Sequence, residues 1–376
     1  MRPMPAAPGD PVAAIDTPAL VVDLDAFERN LDRMARFARE RNVRLRPHAK
    51  THKCAAVALR QVALGAVGVC VQKTGEAEAL AAGGVQDIFV SNEVIGPHKL
   101  ARLAALARHR TLAIAVDSLA GIELLARAVQ SAESRMDVLI EVDVGQGRCG
   151  VAPGEVGALA LQLAAHSGLR FAGLQAYQGQ AQHFRCPAER EAATRRAVAV
   201  ALAARAAVTS VGIACPLVTG AGSGTFMLEA ASGVYGEIQP GSYVFLDADY
   251  ARNTPDPNAP RFEHALFVKS QVMSRSPTQA VLDAGHKSHA IDSGLPTVWG
   301  RCDLEFTNGG DEHGLLRLRS KARAAALPML GDSVWLVPGH IDPTVNLHDH
   351  LVAVRGGLGG GVVEAVWRVD ARGALD

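Results

Sequence analysis

Between Pro18 and about residue 250, short apolar runs alternate with longer segments of helical period, and this alternation limits the chain to few architectures. The first pair is ALVVD followed by LDAFERNLDRMARFARERN, where Phe27, Leu31, Met34, Ala35 and Ala38 recur at helical spacing and Asp25 with Glu28 resembles a capping box. VRLRPH, AVGVCVQ, DIFVSNEV, TLAIAVD, DVLIEVDVG and LRFAGLQAY are each followed by a helical pattern, and weaker strands are expected near PLVTGAG and EIQPGSY. Strands alternating with helices imply a parallel sheet, because each crossover helix returns the chain to the same end. Roughly eight such units suit a closed (β/α)8 barrel of the TIM type, an α/β fold.

Near residue 250 the texture changes. HALFVKSQVMS, QAVLDAG, SVWLVPG, HLVAVRGG and GVVEAVWRV alternate or cluster like antiparallel strands, with GGLGGG at 356–361 as a hairpin turn. The chain therefore divides into a barrel over 17–250 and a C-terminal antiparallel β domain over 251–376, with residues 1–16 free to pack on either.

Lys+Arg and Asp+Glu both number 38, so no global field recruits nucleic acid or an anionic membrane surface. The N-terminal MRPMPAAPGDPVAAIDTP lacks an apolar core of signal-peptide length, and no apolar run is long enough to span a bilayer. The six cysteines are scattered without a C-x-x-C pair, the pattern of free thiols in a reducing compartment, and a cytoplasmic protein is expected.

Anion binding by such a chain has to be local, which gives weight to RPHAKTHK at 46–53. In an extended segment Arg46, His48, Lys50 and His52 share one face, and a barrel carries its reactive groups where its strands end. Like charge around Lys50 would disfavour its ammonium form and activate it toward carbonyls. Pyridoxal phosphate supplies both an aldehyde for such a lysine and an anion for such a pocket. The late loops TGAGSGTF and QPGSY offer Thr219, Gly222, Ser223, Gly224, Thr225, Gly241, Ser242 and Tyr243 as a phosphate cradle, although glycine loops are more often plain turns. EVDVGQGRCGV carries Glu141, Asp143 and Arg148 after an apolar strand; Arg148 can hold a cofactor's phenolic oxygen or form a surface salt bridge. Tyr177 can meet a ring or sit in the core. In PGHIDPTVNLHDH, an extended backbone would pair His340 with Asp342 or His348 with His350 as metal ligands.

In order, RPHAKTHK, EVDVGQGRCGV, LQAYQG, TGAGSGT, QPGSY, DAGHKS and GHIDPTVNLHD resemble the D-threonine aldolase and D-serine dehydratase group of pyridoxal phosphate enzymes, related in fold to alanine racemase (fold type III). The resemblance runs from about Thr17 nearly to the C-terminus. It implies Lys50 as the Schiff-base lysine, Arg148 and Tyr177 around the cofactor ring, and both glycine loops around the phosphate. It also implies that His340 and Asp342 bind a divalent metal, manganese first and magnesium, cobalt or zinc otherwise, leaving His348 and His350 as bystanders. A homodimer acting on a small D-3-hydroxy amino acid is implied as well. Within the group, His-x-Cys resembles the dehydratase branch and His-x-Asp the aldolase branch, so Asp342 points to an aldolase of the D-threonine or 3-hydroxy-D-aspartate type. Gln178, where the group suggests histidine, and His286 in DAGHKS depart from the pattern.

The implied reaction is retro-aldol cleavage to glycine and an aldehyde, with the metal acidifying the β-hydroxyl and His52 or a metal-bound hydroxide taking its proton. A dehydratase would instead use Lys50 on the α-proton and release an oxo acid and ammonia. A racemase would have no use for His340 and Asp342. The alternative from another class is a non-catalytic pyridoxal phosphate homeostasis protein, whose single-domain relatives lack the β domain.

Overall fold

The structure is a computed structural model that describes residues 4–319 and 326–376. Its first strand, β1 (Ala19–Asp23), leads into α1 (Leu24–Glu40), as the periodicity predicts, and all five residues of the predicted helical stripe are buried. The cap differs from expectation. Asp23 accepts the N–H groups of Asp25 at 3.0 Å and Ala26 at 3.2 Å, while the carboxylates of Asp25 and Glu28 reach Arg355 at 2.9 and 2.6 Å. A distant guanidinium thus claims the two acids that resembled a capping box.

β1 does not open the barrel. The barrel strands are β2 (Arg44–Leu45), β3 (Val69–Val71), β4 (Asp87–Val90), β5 (Thr111–Val116), β6 (Met136–Glu141), β7 (Leu169–Ala176), β8 (Val218–Gly220) and β9 (Glu237–Ile238), all parallel in the order β2-β9-β8-β7-β6-β5-β4-β3. A parallel bridge from His48, just past β2, to Cys70 of β3 joins the two ends of this sheet. Helices α2 (Ala55–Ala63), α3 (Thr74–Ala82), α4 (Pro97–Leu106), α5 (Leu119–Ser131), α6 (Val156–Ala164), α7 (Pro187–Ser210) and α8 (Phe226–Ala231) complete the units. Val69, Ile88, Ile114, Val138 and Leu174 pack outward with the helices, whereas Cys70, Phe89, Ala115 and Leu139 form a separate cluster. Both faces are buried, which explains why these strands read as continuous apolar runs.

After α9 (Ala248–Ala251), the chain builds β10 (Leu266–Arg275), β11 (Ala280–Leu282), β12 (Thr297–Val298), β13 (Leu304–Asn308), β14 (Gly314–Leu318), β15 (Ser333–Val337), α10 (Ile341–Val345), β16 (His350–Arg355) and β17 (Val362–Arg368). These strands and β1 make one mostly antiparallel sheet, with β1 between β10 and β16. ALVVD is apolar on both faces and suits the middle of either sheet, so its periodicity cannot choose between them. The segment before Thr17 lies on this second sheet: Gly9 donates to Val363, and Lys269 Nζ donates to the carbonyls of Val12, Ala13 and Ile15 at 2.7–3.1 Å. α1 shares a core with β10, β15 and β16 through Phe27, Val268, Leu336 and Leu351. This packing brings α10 to the strand ends of the barrel. Among the described residues no helix is long and apolar enough to cross a membrane.

Candidate active site

A cavity of about 480 Å³ opens where the barrel strands end. Lys50, Arg148, Tyr177, Gly222, Ser223, Gly241 and Ser242 line it, so seven residues expected around a cofactor meet in one place. Lys50 lies in a short 3-10 turn (Ala49–Thr51) that follows β2, and its Nζ forms an ion pair with Asp342 in α10.

The cationic face expected around Lys50 is dismantled. Arg46 bonds Glu237 at 3.2 Å and also pairs with Asp87, and Lys53 pairs with Glu76 at 2.7 Å. Burial drives the pKa of His48 well below the usual imidazole value and that of His52 to about 4, so both rings are neutral. Burial depresses Lys50 most, but the Asp342 carboxylate, with smaller contributions from Tyr177 and Glu76, turns the net direction upward, opposite to the shift that like charge would cause. Asp342 in turn is pushed up by burial and held down by Lys50, at about 2. The resting pair is ammonium and carboxylate.

The two glycine loops converge. Ala221 has φ 70°, in the left-handed region, making a turn of the kind that gathers successive N–H groups. Among the described residues, the N–H groups of Gly222, Ser223, Gly241 and Ser242 have no protein acceptor, and the Thr51 hydroxyl beside them is buried without a partner. A Cβ on Gly241 would lie 2.5 Å from Thr51 Oγ1, so the loops approach as closely as glycine allows. Unpaired donors with no anionic side chain among the lining residues fit a phosphate group.

Four residues expected in this cradle lie elsewhere. Thr219 points into the barrel, where its hydroxyl bonds Glu237 at 2.9 Å and Gln239 at 2.8 Å. Gly224, Thr225 and Tyr243 line a second cavity of about 460 Å³ on the other side of the loop. Gly224 donates to Gln182 at 2.8 Å, Thr225 donates to Glu229, and Tyr243 accepts from Gln61 at 3.0 Å while its N–H bonds Ser223 Oγ. Each loop turns midway, so that Ala221 to Ser223 and Gly241 to Ser242 face the first cavity and the residues that follow face the second.

His52 is fully buried outside the cavity, its Nδ1 accepting the Cys54 N–H at 3.2 Å at the start of α2. Gln178 and His286 also lie off the cavity lining. The histidine-rich segment is not extended, because His340 precedes α10 and Asp342 lies within it. His340 Nδ1 is held by Asp292 at 2.6 Å, leaving Nε2 for another partner, and Oδ1 of Asp342 is buried without one. A carboxylate behind the far nitrogen of a histidine is the usual support for a metal-bound imidazole, so the pair fits a divalent cation. His348 Nε2 is already engaged by the Ser288 carbonyl at 2.8 Å. Asp247 builds the approach: it caps α9 and its other oxygen accepts the Ile341 N–H at 3.1 Å.

The cavity also recruits His48, Gln72, Ser91, His183, Gln239 and Tyr250. His48 Nε2 meets Gln72 at 2.9 Å and Ser91 at 3.2 Å. His183 Nδ1 is held by Asp249 at 2.7 Å. Gln72, Ser91 and His183 stand singly in loops and carry no spacing signal, although DADY directly after the last barrel unit could have marked Tyr250. Arg148 lies 5.8 Å from the Tyr177 ring centroid and 3.6 Å from Glu141.

Barrel, second sheet, strand-end lysine and phosphate cradle define a pyridoxal phosphate enzyme of the alanine racemase-like class. The family model for the N-terminal domain of alanine racemase matches residues 22–249, a model named for a serine dehydratase domain matches 265–354, and the chain belongs to this family. It is 49% identical over 374 residues to D-threonine aldolase of Arthrobacter sp., covering 99% of this chain and 96% of that protein. It is 42% identical to 3-hydroxy-D-aspartate aldolase of Paracoccus denitrificans (strain Pd 1222), covering 98% and 95%. The crystal structure of D-threonine aldolase from Filomicrobium marinum superposes with a TM-score of 0.95 at 50% identity, covering both chains completely. These relatives are carbon–carbon lyases, and this chain is an enzyme of that type.

Proposed function

We propose that this chain is a pyridoxal phosphate- and divalent-metal-dependent aldolase that cleaves D-3-hydroxy amino acids of the D-threonine type to glycine and an aldehyde. The contact between Lys50 and Asp342 carries the reading, because it sets a lysine able to hold a carbonyl beside a carboxylate able to hold a metal. When bound, pyridoxal phosphate supplies an electron sink for the charge left at Cα as the Cα–Cβ bond breaks. Lys50 would hold its aldehyde, the N–H groups of Gly222, Ser223, Gly241 and Ser242 its phosphate, and Arg148 its ring oxygen. His340 through Nε2 and Asp342 through Oδ1 would hold the cation, taken here as manganese, a hard ion suited to imidazole and carboxylate.

The β-hydroxyl proton needs an acceptor. His48 is occupied at both nitrogens, by the Lys50 N–H and by Gln72 with Ser91. His183 also lines the cavity, and its Asp249 contact orients the ring while leaving the second nitrogen available, so it is the base in this reading. A homodimer and a cytoplasmic location belong to the same proposal; all six cysteines are free thiols, as a reducing compartment leaves them.

The test is product analysis with pyridoxal phosphate, manganese and either D-threonine or D-threo-3-hydroxyaspartate, each beside its L-isomer and a chelated control. Glycine with an aldehyde or glyoxylate, lost on chelation, supports the proposal. Ammonia with an oxo acid makes the chain a dehydratase, and no turnover with cofactor bound rejects both.

A further inference from the structure

Next to the cavity, on the Glu141 side of Arg148, three successive barrel strands end in acidic residues. Glu93 lies just beyond β4, Asp117 directly follows β5, Glu141 ends β6, and Cys149 stands in the loop after β6. One ligand atom each from Glu93, Asp117 and Cys149 lie within 4.8 Å of one another. Asp117 accepts the Gly150 N–H at 3.2 Å, which fixes the Cys149 loop over the strand ends.

Glu141 is a separate observation pointing at the same place. It is only 4% exposed, its carboxyl meets that of Glu93, and its Oε2 is buried without a hydrogen-bond partner. Both carboxylate oxygens of Glu93 are equally orphaned. Three carboxylates here face one guanidinium, Arg148, whose nearest approach to Glu141 is 3.6 Å. A buried group of like charges requires a proton or a cation. A proton shared between Glu93 and Glu141 would account for those two groups alone, whereas a cation also engages the Asp117 and Cys149 atoms gathered beside them.

We propose that Glu93, Asp117 and Cys149, backed by Glu141, form a second divalent-cation site, separate from His340 and Asp342 and suited to zinc. A thiolate with carboxylates excludes a strictly hard site, and zinc accepts both sulfur and oxygen. Tetrahedral zinc with bonds of about 2.0–2.3 Å holds its ligand atoms roughly 3.3–3.8 Å apart, a spacing that small side-chain rotations reach from the observed arrangement. The Asp117 and Cys149 residues are partly exposed, which leaves the ion a path from solvent. Without metal, burial and the Glu93 carboxylate push the Cys149 thiol up to about 11; zinc would bind it as thiolate and release its proton.

The experiment uses zinc-loaded holoenzyme, dialysed, with metal counted by mass spectrometry and the zinc environment read by X-ray absorption. Wild type should retain about two zinc ions per chain and His340→Ala/Asp342→Ala about one, with a sulfur neighbour near ~2.3 Å. Adding Cys149→Ser should remove the sulfur shell, and adding Glu93→Gln as well should empty the site, while cofactor absorbance reports that the chain remains folded. A His340→Ala/Asp342→Ala protein that holds cofactor but no zinc overturns the proposal, as does a sulfur shell that survives Cys149→Ser.

Discussion

Lys50 Nζ and the Asp342 carboxylate form an ion pair between residues 292 positions apart, joining the barrel to the second domain at the active-site cavity. The pair holds Lys50 as ammonium, yet it is the neutral amine that condenses with an aldehyde.

Replacing Asp342 should therefore separate two effects. In Asp342→Asn the main cause that raises the Lys50 pKa is gone, Tyr177 and Glu76 contribute less, and burial, which lowers it, remains. Each unit of fall multiplies the neutral fraction about tenfold at pH 7. Cofactor capture by the apoenzyme, followed by stopped-flow absorbance, should become about tenfold faster, while turnover drops on the order of 10²-fold or more with the metal's contribution lost. Slower capture in the variant would show that Asp342 is not what restrains Lys50.

The phosphate cradle should be intolerant of one methyl group. In Gly241→Ala the new carbon would lie 2.5 Å from Thr51 Oγ1 and 3.1 Å from the His48 carbonyl, pushing the loop off its neighbour. Overpacking of this kind costs roughly 1–3 kcal/mol, so cofactor affinity measured by fluorescence titration should weaken about tenfold to a hundredfold. An unchanged Kd would place the phosphate elsewhere.

His52 and His183 should behave oppositely. His52→Asn keeps an acceptor for the Cys54 N–H and stays outside the cavity, so kcat should hold within about threefold. His183→Asn removes the proposed base and should lower kcat on the order of 10²-fold to 10⁴-fold. Steady-state kinetics of the two variants decides between them, and the reverse pattern would restore His52 as the base.

Glu141 predicts a pH dependence of stability in metal-stripped protein. Burial, then the Glu93 carboxylate, push its pKa up to about 8 from an ordinary 4.5. The folded state therefore binds more protons than the unfolded state between those values, so the stabilising effect of protonation is complete below about 4.5 and disappears as pH rises through about 8. Thermal melts should show wild type losing stability relative to Glu141→Gln across that window, by an amount on the order of a few kcal/mol, read as a progressively lower Tm. Parallel curves for the two proteins would mean that Glu141 ionises normally.

Much of this architecture was legible before any coordinates. Phe27, Leu31, Met34, Ala35 and Ala38 marked the buried face of α1, and the apolar runs marked all eight barrel strands. Lys50, Arg148, Tyr177 and the glycines at 222 and 241 were legible because strand-to-helix loops of a barrel gather at one end. Sequence presents the loops at 219–226 and 239–243 as single units, whereas the side chains of Thr219 and Tyr243 turn away from the cavity that the loops enclose. His183 carries no signal, because nothing in its local sequence distinguishes it from an ordinary loop residue, whereas Tyr250 is marked only by DADY directly after the last barrel unit.

The sequence by itself determined which segments are helix and strand, which of their faces are apolar, and which chemical groups stand at strand ends, because these depend on residues a few positions apart. Tertiary structure alone decided that β1 joins the second sheet, that Arg46 and Lys53 are neutralised by Glu237, Asp87 and Glu76, and that Lys50 faces Asp342. The physical reason is that strand pairing and ionisation answer to neighbours in space. In a poorly solvated interior, a carboxylate hundreds of residues away along the chain sets the charge of Lys50, while the cations next to it in sequence are paired off by other acids.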